Sequence, residues 1–114
     1  MAAGRAATSR LSEVEIASAL GRLCREGSLT TAERDRACGA LKRDFAALTV
    51  LEVAPEIVGR TYDLLARHRL RASDALQLAS CLQLRDAVGT AIRFLAFDDR
   101  LSQAARAEGL VQAF

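Results

Sequence analysis

The chain has 114 residues, 51% of them hydrophobic, with one methionine, no tryptophan and an aromatic share of 4%. That length predicts a single domain over residues 1–114, with a core built from Leu, Ala and Val. Sixteen basic residues against fourteen acidic ones leave a net charge of +2, too near neutral to argue by itself for a polyanionic partner. No apolar run approaches the length of a membrane span. Residues 1–10 are rich in Ala and Arg and lack the apolar stretch of a secretory signal. Cys24, Cys38 and Cys81 are an odd count at wide spacing. They read as free thiols in a reducing cytoplasm rather than a disulfide framework or a zinc site.

In chain order, residues 1–10 read as unstructured, or as the remnant of a first strand-helix unit. Ser12 and Glu15 have the spacing of a capping box, so a helix is expected to start there and run to about Glu26. Its apolar stripe is Ile16, Ala17, Leu20, Leu23 and Cys24, and Gly27 stops it. Thr30 and Glu33 repeat the capping device. The second helix presents Ala37, Cys38, Leu41, Phe45 and Leu48 on one side. Residues 49–53 alternate and are rich in β-branched side chains, which predicts a short strand. Pro55 suits the first turn of a third helix whose face is Ile57, Val58, Thr61, Leu64 and Leu65. It ends in a basic run, residues 67–71, that includes His68, the only histidine. Basic residues there are favoured by the helix dipole alone, and His68 has no evident partner for acid–base work.

A central helix follows, from Asp74 to about Asp86, with Ser73 placed to cap it. Leu76, Ala79 and Leu82 repeat at helical spacing, and Ala75 and Leu78 widen the stripe until the helix is apolar nearly all round. After a turn at residues 88–91, residues 93–97 form an apolar strand that ends at Asp98-Asp99. Residues 100–108 make a short helix with Leu101, Ala104 and Ala105 inward. Gly109 stops it, and residues 110–114 begin a last strand. Helices alternating with strands predict an α/β fold with a small parallel sheet flanked by helices.

In such sheets the functional crevice lies outside the carboxyl ends of the strands. Asp98 sits at such an end, Asp74 opens the central helix, and Glu15 lies in the first turn of the first helix. Each acid alone is equally explained by a helix cap or a strand-end turn. Together, with no histidine or reactive cysteine among them, they are a ligand set for Mg²⁺ or Mn²⁺. Such ions hold phosphoryl oxygens, make hydroxide available and stabilise a leaving oxygen.

Three stretches carry a family resemblance. They are Thr8-Ser9-Arg10-Leu11-Ser12-Glu13-Val14-Glu15-Ile16, then Leu70-Arg71-Ala72-Ser73-Asp74-Ala75-Leu76-Gln77-Leu78-Ala79, then Phe94-Leu95-Ala96-Phe97-Asp98-Asp99-Arg100-Leu101. The chain resembles the PIN-domain ribonucleases, and within them the VapC-like toxins of bacterial toxin–antitoxin pairs. The resemblance implies a PIN-like three-layer domain and a metal-dependent endoribonuclease acting on RNA. Glu15, Asp74 and Asp98 would be its catalytic and metal-holding acids, with Asp99 either assisting or capping the next helix, and Mg²⁺ or Mn²⁺ as cofactor. It also implies a cytoplasmic protein with a cognate antitoxin, and a homodimer is expected. Arg10, Arg71 and Arg100 flank the acids and are candidates for holding RNA phosphates. Gln77 is assigned no chemistry. Family members open with an apolar strand ending in the first catalytic Asp, whereas no acid precedes Glu13 here. The expectation is therefore an N-terminally truncated domain, with a catalytically inactive module that binds an antitoxin or another protein as the alternative.

Overall fold

The computed structural model describes residues 6–89, 93–94 and 99–112. The described elements are β1 (Ala7–Ser9), α1 (Arg10–Arg25), α2 (Thr31–Ala47), β2 (Thr49–Leu51), α3 (Pro55–Arg67), α4 (Ala72–Val88), β3 (Arg93–Phe94), α5 (Asp99–Ala107) and β4 (Val111–Gln112). The chain is α/β, with parallel pairing in both of its described sheets. It divides into two compact units, one up to Glu52 and one from Val53 onward.

In the first unit, β1 and β2 are parallel, with Ala7 opposite Thr49, Thr8 opposite Val50 and Ser9 opposite Leu51. Parallel neighbours need a long crossover, which α1 and α2 supply. Of the two readings of residues 1–10, unstructured or the remnant of a first strand-helix unit, the strand at Ala7–Ser9 departs from the first. The start of α1 also differs from expectation. The cap is Ser9, whose Oγ accepts from the Leu11 backbone N–H at 3.2 Å. Ser12 lies inside the helix and accepts instead from the Thr8 hydroxyl at 3.0 Å. Cap chemistry follows where the chain leaves the strand, and the chain leaves it three residues before the matching Ser/Glu pair. At the other end Gly27 takes φ +83°, and the Ser28 N–H returns to the Leu23 carbonyl at 2.9 Å. That left-handed closure needs glycine.

The apolar stripe expected of α1 is not buried. Ile16 is 44% exposed, Leu23 is 36% exposed, and no residue of the helix is fully covered. Within the unit α1 packs mainly along α2, and one helical neighbour covers only a narrow strip. The α2 start is as expected: Thr30 and Glu33 form a reciprocal capping box, at 3.1 Å and 2.9 Å. Phe45 is the buried residue of α2, and the other stripe residues are half-buried.

The second unit holds most of the core. α4 buries Ala75, Leu78, Ala79, Ser80 and Leu82. Ile57, Thr61 and Leu64 of α3 and Leu101, Ala104 and Ala105 of α5 are also buried, as is Leu110. Val58 and Leu65 of α3 were expected inward but are 38% and 44% exposed, because only the Ile57–Thr61–Leu64 line is covered. The α4 N-cap is Arg71, with no side-chain cap bond, so Ser73 is a helical residue and not the cap. Gly89 at φ +76° closes α4. β3 and β4 pair in parallel, Arg93 opposite Val111 and Phe94 opposite Gln112. The rest of the strand expected over residues 93–97, and Asp98 after it, lie outside the described residues.

Candidate functional site

Asp74 is the third residue of α4, so the dipole and the free N–H groups of the first turn favour its negative charge. Its side chain is 22% exposed. Its one charged neighbour among the described residues is Arg71, whose Nε is 3.9 Å away, at the outer limit of an ion pair. No hydrogen bond to this carboxylate occurs among the described residues. Arg71 itself is 85% exposed, a long cation standing in solvent beside the acid.

Glu15 lies in the second turn of α1 and is exposed. Asp99 opens α5, and Arg100 follows it, exposed. Glu15 and Asp74 belong to different units, and Asp98 is outside the described residues. Among the described residues no group of three His, Cys, Asp or Glu side chains could hold a metal ion.

Arg10 is heavily engaged. Its Nε and one terminal nitrogen grip Glu52 at 2.9 Å and 2.8 Å, and the other terminal nitrogen donates to Glu13 at 2.8 Å. The hydrogen bonds to Glu52 and then Glu13 raise its pKa, and the same contact with Arg10 lowers that of Glu52. This fork ties the start of α1 to the residue after β2, a positioning contact within the first unit.

A cluster that sequence reasoning missed surrounds Glu108. Its Oε2 meets His68 Nε2 at 2.8 Å and a terminal nitrogen of Arg67 at 2.7 Å, while Arg67 also pairs with Asp63. The Glu108 backbone carbonyl accepts from Arg85 at 2.9 Å. Burial alone would push the Glu108 carboxyl up, but hydrogen bonds from His68 and Arg67 and their charge hold it below the usual value. The residues are 40 apart in sequence, so no local pattern announces them. Cys24, Cys38 and Cys81 are free and half-buried, and burial pushes the Cys81 thiol up to about 11. A thiol so shifted stays protonated at neutral pH and is a poor nucleophile.

The chain is α/β with parallel strands, and a carboxylate such as Asp74 is the donor type that divalent cations take in phosphoryl chemistry. The family model named PIN domain matches residues 1–107, and the chain belongs to the PIN domain family. Its members are typically nucleases, and the PIN nucleases typically use divalent metal ions. No curated protein matches the chain. Among the described residues no helix is long and apolar enough to cross a membrane.

Proposed function

We propose that this chain is a metal-dependent endoribonuclease domain that hydrolyses phosphodiester bonds of single-stranded or loop RNA. In this reading it is the toxin of a VapC-like toxin–antitoxin pair, working in the cytoplasm as a homodimer and restrained by a cognate antitoxin. One observation carries the nuclease reading beyond family membership. Asp74 presents a sheltered carboxylate that is held by the helix start and left without a close partner among the described residues.

An all-carboxylate donor set suits Mg²⁺ or Mn²⁺, and the Asp74 carboxylate, which accepts no hydrogen bond among the described residues, fits that use. Such a cation, once bound, would supply charge neutralisation at the phosphoryl oxygens and an acidified water. Glu15, Asp74 and Asp98 are the residues assigned to hold it, with Asp99 assisting. Arg71, exposed and only loosely paired with Asp74, and Arg100, exposed and without a partner among the described residues, are placed to meet RNA phosphates, whereas Arg10 must first release Glu52. Bringing like charges together is unfavourable until a cation arrives, so metal should stabilise the protein.

The test is cleavage of a structured RNA with Mn²⁺ by the chain, and by a version extended through the codons upstream of Met1. Each is assayed with and without Asp74→Asn. The expected outcome is faster cleavage by the extended version, because no acid precedes Glu13 in this sequence, and loss of cleavage with Asp74→Asn. Cleavage that survives Asp74→Asn unchanged removes the nuclease assignment. Absence of cleavage from both versions, with tight binding to the product of an adjacent small gene, selects the inactive interaction module instead.

A further inference from the structure

The end of α3, the residues just after it and one face of α5 line an open depression of about 460 Å³. Its lining combines the small residues Ala104 and Ala107 with the basic residues Arg67, His68, Arg69 and Arg100. The α5 side follows from sequence spacing, since positions 100, 103, 104 and 107 share one helical face. Among the described residues no acidic side chain lines it.

The four basic residues are not alike. Arg67 and His68 are held from behind by Glu108, which fixes where they stand. Arg69 and Arg100 are exposed and make no ion pair or hydrogen bond among the described residues. The helix dipole explains Arg67, which ends α3, but not Arg100. Arg100 is the second residue of α5, at the end where a cation is disfavoured and an anion is favoured. Two guanidinium groups without a partner among the described residues, set on one concave surface with small residues between them, form a setting that suits an anion.

We propose that this cavity is a phosphate-binding subsite for the RNA backbone, with Arg69 and Arg100 as the residues that contact the phosphate. Arg67 and His68 are the wall that Glu108 positions. The inference rests on the ribonuclease reading and adds to it a defined surface, shared by Arg69 and Arg100, that grips the backbone. Guanidinium groups on a phosphate carry no base information, so the subsite strengthens binding without selecting sequence. Gln103, exposed on the same face, adds an amide donor without charge.

The experiment measures binding of a labelled single-stranded oligoribonucleotide in EDTA, where metal-dependent cleavage is silent, across a salt series. Arg69→Ala with Arg100→Ala is expected to weaken binding roughly tenfold or more near 0.1 M salt and to lower the salt slope by about 1.4. The loss should be the same for oligonucleotides of different base composition. Arg69→Lys with Arg100→Lys should restore most of the salt slope, which a merely structural loss would not. Arg25→Ala with Arg43→Ala removes the same charge elsewhere and should leave binding near that of the parent.

Equal weakening by both alanine pairs, or none by the first, overturns the subsite. If Asp74-dependent cleavage persists in that case, the nuclease reading stands without it. If the parent neither binds nor cuts RNA, both fail. If an acidic peptide binds in place of RNA and is lost with Arg69→Ala and Arg100→Ala, the cavity serves a protein partner and the RNA assignment is wrong.

Discussion

At the scale of single residues, Glu108 is the most constrained acid among the described residues. Its side chain is 17% exposed and it meets two partners at once, Arg67 and His68. Replacing it by Gln leaves an acceptor for one of them and removes the charge. The expected cost is about 1 kcal/mol, reduced from a fully buried charged hydrogen bond because Arg67 remains in solvent. The pH dependence has a definite sign. The folded carboxyl is depressed below its ordinary value of about 4.5, so the contribution is complete above that pH. It is lost as pH falls through the lowered folded value, because the unfolded state then binds more protons. Chemical denaturation from pH 7 down to pH 3 should therefore show the parent losing its advantage over Glu108→Gln on the acid side. An advantage that does not shrink there would mean that it does not come from the charge of the carboxylate. This cluster and the Arg10–Glu52 fork were invisible in the sequence for one reason. Their partners lie 40 and 42 residues apart, and ion pairs leave no periodic trace.

At the scale of elements, α4 is the helix that the second unit is built on. Leu78 is fully buried, between Ala75 and Ala79, which are equally covered. Leu78→Ala is expected to cost about 2–5 kcal/mol by lost burial and residual cavity. A urea titration should show a lower midpoint with an unchanged slope. Arg60 donates to Gln83 at 2.8 Å and to Asp86 at 2.6 Å, so α3 and α4 are also pinned along their solvent edge. On α2, Thr30→Ala removes the cap hydroxyl and should cost about 1 kcal/mol. Ser9→Ala should cost α1 a similar amount, a direct check that Ser9 is the cap. What the sequence revealed at this scale was periodicity and punctuation. The capping box of α2, Pro55 at the start of α3 and the closures at Gly27 and Gly109 were all legible, because each is a local requirement. Periodicity shows which face of a helix is apolar, but not whether anything covers it. That is why the α1 stripe was expected in the core, where Leu23 and Ile16 do not lie. It is also why Ser73 passed for a cap: a hydroxyl residue before an acid fits the pattern wherever the helix begins.

At the scale of the whole molecule, burial is unequally shared. The first unit buries Phe45 and Ser9 among its described residues, while the second holds the Leu- and Ala-rich core of α3, α4 and α5. Amide exchange should follow that division, slowest in α4 and fastest in α1, since protection tracks the burial that local opening must expose. The same measurement bears on the proposed chemistry. Glu15 stands in the first unit and Asp74 in the second. A cation bound by the native state alone stabilises by about 1.4 kcal/mol at ten times its dissociation constant. If Glu15 and Asp74 share one ion, Mg²⁺ should slow exchange in α1 as well as in α4, and Asp74→Asn should abolish both effects. If α1 is unaffected while α4 is protected, Glu15 is not a ligand, and the cation belongs to the second unit's acids. If Mg²⁺ protects neither helix at concentrations that support cleavage, Asp74 does not hold the metal. Its place at the head of α4 is then explained by the helix dipole alone.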